Sequence, residues 1–337
     1  MMRKQRSEWS PGRRACLRGT AALALSALGP GLPLAALAQG DWVPDKPVKL
    51  VVPFPPGGGA DVAARIVAQA VGNKLGQPLI IENRAGAGGA IGAQVVQAAP
   101  ADGTTLLVAS ADTHSIYPHV YTKPRFAAQD FVAVAPITRI AYVLMGRPDL
   151  PAKNVQEVVA LARKGKLSYA SWGAGSAAHA AMSLFMGVAE APQMLHVPYT
   201  GSAPAAQALM GGQVDLMMVP MPLAVASRSK LTVFGVSAQQ RSEAMKDVPT
   251  LAEQGFLVDA EFWIGLLAPP KTNPAAVATL SRRWQEAVAD PEVQAKLRAQ
   301  GMSPHQATQS EYARYVAGEY KRWGEIIQKA GIKVDEP

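Results

Sequence analysis

The stretch VVPFPPGGGADVAAR, residues 51–65, decides the reading of the fold. An apolar β-branched run passes through a Pro/Gly turn into a small-residue helix start, with no Lys, His or Cys before the last position. Glycine leaves backbone N–H groups unscreened, and a helix starting near Ala60 adds partial positive charge at its N-terminus. Strand, turn and helix in this order make one βα step of an α/β sheet, whose ligands bind beyond the carboxyl ends of the strands.

The same grammar continues on both sides. VKLVVPF, a helix over 60–75, PLIIENR, a helix over 89–98 and TTLLVAS form a first series, with Gly76 and Pro78 ending the first helix. AYVLMGR, a helix over 155–164, LSYAS, a helix over 177–188, MLHVPY, a helix over 204–210, VDLMMV and LTVFGVSA form a second. Within it, LSYASWGAGSAAHAAM repeats the opening pattern of strand, Gly-rich turn and small-residue helix start. EFWIGLLAPP reads as one more strand, and helices follow over 274–289, 291–300 and 310–331. Asp290 before Pro291 reads as an N-cap, and Thr308 with Glu311 as a capping box. The fold class is therefore α/β, with two lobes, each a mostly parallel sheet flanked by helices. Domain 1 is expected over 41–141 and 262–337 and domain 2 over 142–261, with two crossing strands near 140–143 and 260–263 as the hinge.

Ahead of this lies MMRKQRSEWSPGRRACLRGTAALALSALGPGLPLAALAQG. A basic head, an apolar run over 20–37 and Ala36-Leu37-Ala38 as a cleavage site predict an export signal over 1–38 and a periplasmic protein. Arg13 and Arg14 resemble the twin-arginine pattern, with Gly12 and Cys16 at its usual Ser/Thr and Phe positions, so twin-arginine and general secretion both stay open. Removing the signal leaves 27 basic against 24 acidic residues, about +3 instead of the full chain's +8. No basic stripe remains for nucleic acid. The single cysteine, Cys16, goes with the signal, so neither a disulfide nor thiol chemistry is expected.

Enzyme and cofactor motifs fail on spacing. Val62 and Ile91 stand where a dinucleotide fingerprint needs its third Gly, and no Gly-Lys-Ser/Thr exists for a Walker loop. The five histidines, at 114, 119, 179, 196 and 305, are scattered without metal-ligand spacing. Ser176 lies three residues before His179, which keeps a periplasmic hydrolase using this pair as the alternative reading. Otherwise no catalytic residue, metal or cofactor is expected. What remains is a set of neutral loops at strand ends, over 55–61, 110–113, 172–176, 199–203 and 219–222. Asp61 suits either a helix cap or a ligand contact, and Trp172 and Tyr199 either stack on a ligand or wall the cleft. Asp215 reads as holding a turn.

KPVKLVVPFPPGGGADVAARIVAQAV, LGQPLIIENRAGAGGAIGAQVVQAAPADGTTLLVAS, HVPYTGSAPAAQALMGGQVDLMM, VPTLAEQGF and FWIGLLAPPKTNPAAVATL resemble the Bug-type receptors. These are the extracytoplasmic solute-binding proteins of tripartite tricarboxylate transporters, and the resemblance covers about residues 43–333. It implies a two-lobed type II periplasmic-binding-protein fold that closes on a small organic carboxylate and is not an enzyme. It also implies that Phe54, Pro55, Pro56, Gly57 and Gly58 with Asp61, and Gly173, Ala174, Gly175 and Ser176 with His179, grip one carboxylate through main-chain N–H groups, hydroxyls and water. The far end of the ligand would meet Ser110 to Thr113, Tyr199, Thr200, Gly201 and Ser202, and Val219 to Pro222. Membrane subunits of such a transporter, or a sensor kinase, are the implied partners of a monomer.

Two positions depart from the family pattern. Val219 stands where family members often carry an acid, and Trp172 makes the second Gly-rich loop bulky. Together they predict a ligand without an ammonium group and with an apolar or aromatic body.

Overall fold

The computed structural model describes residues 42–334, Lys166 excepted, so the expected export signal lies outside the described residues. Alternation of strand and helix begins with β1 (Val48–Val52), α1 (Gly59–Leu75), β2 (Leu79–Asn83), α2 (Ala90–Gln97), β3 (Thr105–Ser110), α3 (Tyr117–Val120) and β4 (Val132–Ile140). The middle of the chain forms β5 (Tyr142–Gly146), α4 (Val155–Lys164), β6 (Ser168–Ser171), α5 (Ala177–Val188), β7 (Leu195–Pro198), α6 (Ser202–Met210), β8 (Leu216–Pro220), α7 (Met221–Ser227) and β9 (Thr232–Val236). It ends with β10 (Phe262–Ala268), α8 (Pro274–Val288), α9 (Pro291–Ala299), β11 (Ser303–Pro304) and α10 (Gln309–Ala330).

The strands form two sheets, β11-β4-β10-β3-β1-β2 and β7-β6-β8-β5-β9, which are the cores of a two-lobed α/β fold. Parallel order holds within β2, β1 and β3 and within β7, β6 and β8. The remaining pairs are antiparallel, so both sheets are mixed. The antiparallel pairs arise where β4, β5 and β10 carry the chain between the sheets. β4 ends at Ile140 and β5 starts at Tyr142, leaving Ala141 alone between the two sheets. Phe262, where the chain returns, pairs with Ile140. Pro136 masks the strand signal of β4, and it is accommodated opposite Gly265, beside a register shift of the ladder.

Local signals set the helix ends. Gly76 closes α1 in the left-handed region at φ 70°, Asp290 caps α9 by accepting from Glu292 N–H, and the Thr308–Glu311 capping box opens α10. α8 and α10 pack on β4 and α9 on α1, so the C-terminal helices cover the first sheet. Trp263, Trp284 and Trp323 lie fully buried there.

Candidate functional site

The loop between β1 and α1 is organised by one carboxylate. Gly57 takes φ +79°, a conformation that favours glycine, and its N–H donates to Asp61 Oδ2 at 3.0 Å. Asp61 is 2% exposed and also accepts from Arg65 Nε and Nη2, both at 2.9 Å, and from Asn83 Nδ2 at 3.0 Å. Burial alone would raise its pKa, but the hydrogen bonds from Arg65, Gly57 and Asn83 outweigh that and hold the carboxyl below its ordinary value. Asn83 Nδ2 further donates to Phe54 carbonyl at 3.1 Å, which ties the loop to the end of β2. Gly58 is the N-cap of α1, and no side chain caps this terminus. The first amides of a helix, here those of Gly59 and Ala60, have no partner inside it. A Cβ on Gly59 would lie 3.2 Å from Ile140 Cδ1, which places this terminus beside the crossing between sheets.

The loop between β6 and α5 has the same sequence grammar and a different chemistry. Gly173 N–H donates to Ser171 Oγ at 3.2 Å, Gly175 N–H to His179 Nδ1 at 3.0 Å, and Ser176 N–H to Gly173 carbonyl at 3.1 Å. Ser176 is the N-cap of α5, accepting from His179 N–H at 3.4 Å. Ala177 N–H donates at 2.7 Å to Asp112 Oδ1, which belongs to a π-helical turn (Asp112–Ile116) just after β3. That bond joins the two lobes. Gly175 takes φ +73° and lies against Val120 of α3, so a Cβ there would collide with the Val120 side chain.

Asp112 is buried, and burial pushes its pKa up to about 6 against the opposing bonds from Ala177 and Trp172. Trp172 Nε1 lies 3.4 Å from Asp112 Oδ1. Trp172, Tyr142 and Phe262 form a row of rings, with centroid separations of 5.8 and 6.1 Å, running from the second loop to the crossing strands. Behind the loop, His179 and His196 stack at 3.9 Å, and Ser171 Oγ bonds His196 Nε2 at 2.7 Å. Burial, and secondarily His196, lowers the His179 pKa to about 4, so the ring is neutral and free to accept from Gly175.

The other expected residues are spread around this centre. Thr113 and Phe54 converge on Gly89, while Thr113 Oγ1 bonds the Ser110 backbone at 3.1 Å and His114 Nδ1 at 2.9 Å. Pro55, Pro56 and Ala174 are exposed. Tyr199 is half-buried and tied to the second loop by its N–H to Ser171 carbonyl at 2.9 Å, and Thr200, Gly201 and Ser202 lead into α6. Val219 is fully buried in β8 opposite Val143. Asp215 accepts from Ser168 N–H and Arg147 Nε and holds the turn before β8. The Ser–His pair is committed elsewhere, with Ser176 Oγ a helix cap and His179 Nδ1 an acceptor for Gly175.

Sequence reasoning did not single out Asn83 and Tyr142, and it took Asp112 only as part of the loop over 110–113. Asp112 carried a signal, as the one acid in an otherwise neutral strand-end loop, whereas Asn83 and Tyr142 read as ordinary strand residues. Among the described residues, no group of three or more His, Cys, Asp or Glu could hold a metal ion, and no helix is long and apolar enough to cross a membrane.

Comparison with known proteins agrees on one family. Residues 63–332 match the family described as tripartite tricarboxylate transporter family receptor. Protein BugT of Bordetella pertussis is 33% identical over 314 residues, covering 89% of this chain and 94% of BugT. The periplasmic binding protein BugD superposes with a TM-score of 0.78 at 30% identity, covering 86% of this chain and all of BugD. An R. palustris protein solved with adipate superposes at 0.82 and 30% identity, over 87% of this chain and 100% of that one. MatC from Rhodopseudomonas palustris, solved with bound malate, superposes at 0.77 and 32% identity, over 84% and 99%.

Proposed function

The chain belongs to the tripartite tricarboxylate transporter receptor family, and from that premise we propose that it captures a small organic carboxylate between its two lobes for uptake or sensing. The observation that carries this reading is the uncapped N-terminus of α1, held beside the sheet crossing by the bonds of Asp61 to Gly57, Arg65 and Asn83. A helix terminus contributes about 0.3–1 kcal/mol to holding an anion when exposed and up to about 2 when partly buried. Micromolar binding corresponds to about 8 kcal/mol, so the site needs several charge-assisted hydrogen bonds beyond those of that terminus. Neutral donors in this number suit a receptor that must also release its ligand.

On this reading the hinge lies at Ala141 and before Phe262, with domain 1 over 41–141 and 262–337 and domain 2 over 142–261; the step from β4 to β5 across Ala141 and the pairing of Phe262 with Ile140 support it. Closure about this hinge brings the loops over 54–61 and 172–179 onto the ligand, with no covalent step. The expected export signal and the periplasmic binding proteins among its relatives support a periplasmic location. Bound ligand would then pass to transporter membrane subunits or be reported to a sensor. Uptake assays with and without the membrane subunits separate these two, since loss of uptake alone marks the transport role.

The direct test is a thermal-shift screen over organic acids followed by calorimetry. A ligand that binds only the folded state raises the apparent melting temperature by mass action. Carboxylates should raise it and their methyl esters should not; equal effects of acid and ester overturn the reading.

A further inference from the structure

Selectivity at the far end of the ligand can be read from Asp112, which lies inside the loop over 110–113 and to which the resemblance gives no role of its own. Its carboxylate comes from the first lobe and sits at the N-terminus of α5 in the second, accepting Ala177 N–H at 2.7 Å and Trp172 Nε1–H at 3.4 Å. The start of a helix favours negative charge, and here the chain supplies that charge itself. The surrounding amides are also engaged: Gly173 with Ser171, Gly175 with His179, and Ser176 with Gly173. A ligand carboxylate brought to this end would meet few open donors and would face a like charge.

The same corner has an unmet need of the opposite kind. Both hydrogen bonds to Asp112 among the described residues fall on Oδ1. The Tyr142 hydroxyl is buried without a hydrogen-bond partner among the described residues, and its ring lies 5.8 Å from that of Trp172. Buried polar atoms are nearly always paired, so an orphaned hydroxyl near a half-used carboxylate marks a place for a group that can donate. The Asp112 charge already reaches Tyr142, where it adds to burial in raising the phenol pKa well above its ordinary value. Trp172, Tyr142 and Phe262 provide aromatic faces around the same point, which suit an alkyl chain or an ammonium group.

We propose that Asp112 is a specificity-determining residue: it turns away a second carboxylate and selects carboxylates whose far end donates a hydrogen bond, a hydroxyl, an amide or an ammonium. This rests on the carboxylate-receptor reading above. It sets the chain apart from the relatives solved with adipate and malate, and it departs from the expectation of a ligand without an ammonium group, drawn from Val219 and Trp172, since here the acid comes from a different element.

The test compares the full chain with Asp112→Asn and Tyr142→Phe by calorimetry. The probes are ω-hydroxy and ω-amino monocarboxylates of four to eight carbons, each against the diacid and the unsubstituted acid of equal length. In the wild type the best donor-bearing acid should bind at least about tenfold tighter than its diacid. Asp112→Asn, nearly isosteric and still able to accept Ala177 N–H, should bring that ratio to within about threefold, chiefly by tightening the diacid. Tyr142→Phe, which removes only an orphaned hydroxyl, should weaken the donor-bearing acid and leave the diacid unchanged. A wild-type diacid affinity equal to or above that of the donor-bearing acid overturns the inference, as does a ratio that Asp112→Asn leaves unchanged. In both cases acids still bind and the receptor reading survives. Binding by none of the acids overturns both.

Discussion

The loops before α1 and α5 share strand, Gly-rich turn and small-residue helix start, yet fold into opposite electrostatic arrangements. In the first, the acid lies inside the loop, where Asp61 takes Gly57, Arg65 and Asn83 and leaves the α1 terminus uncapped. In the second, acceptors cover the terminus: Ser176 caps it from within and Asp112 reaches it from the other lobe. A Gly-rich βα turn therefore does not by itself leave its helix terminus uncapped. What decides is which acceptors the rest of the fold lays over the amides.

The sharpest way to break this contrast is to add a side chain to each loop. Gly58 has φ −74° and ψ 165°, open to any residue, and a Cβ there would meet Pro55 carbonyl only at an ordinary 3.5 Å. Gly58→Val should keep the melting temperature and weaken carboxylate binding at least about 100-fold by calorimetry. Gly175→Val should instead cost about 3 kcal/mol in a denaturant melt, because it combines a positive φ with the Val120 collision. Equal behaviour of the two variants would erase the distinction between the loops.

Asp61→Ala should come next, removing the acceptor for Gly57 and Asn83 and losing about 1–3 kcal/mol of stability together with about tenfold in affinity. Retained affinity would show that the first loop holds its shape without the carboxylate.

Asp112→Asn tests the second loop through pH. The folded-state pKa of about 6 lies above the ordinary 3.8, so the ionised carboxyl costs stability, increasingly from about pH 4 and fully above about pH 6. The variant should be more stable than wild type above pH 6, by on the order of 2 kcal/mol, with the gain vanishing below pH 4. A gain independent of pH would remove the desolvated charge as its cause. The smallest effect is expected of Ser176→Ala, about 1 kcal/mol from loss of the α5 cap, read as a lower denaturation midpoint with an unchanged slope.

Legibility in the sequence followed locality. The caps at Asp290 and Thr308, the Gly76 stop and the strand order in each series were readable because turn chemistry and periodicity act over a few residues. β4 was hidden because Pro136 looks like a break until Gly265 is placed opposite it. Asp61 was readable as a first-turn acid, but its bond to Asn83 spans 22 positions and had no local signal.

The sequence by itself determined the α/β order and the family, since these depend on local patterns and long motif blocks. Only the tertiary structure decided which amides at these helix starts meet an acceptor from elsewhere in the chain. Ala177 meets Asp112 across 65 positions, and Trp172, just after β6, meets Tyr142 of β5, a strand of the same sheet that is separated from β6 by β8. Contacts of that kind depend on how separately formed elements pack together, and packing leaves no mark on the residues next to either partner.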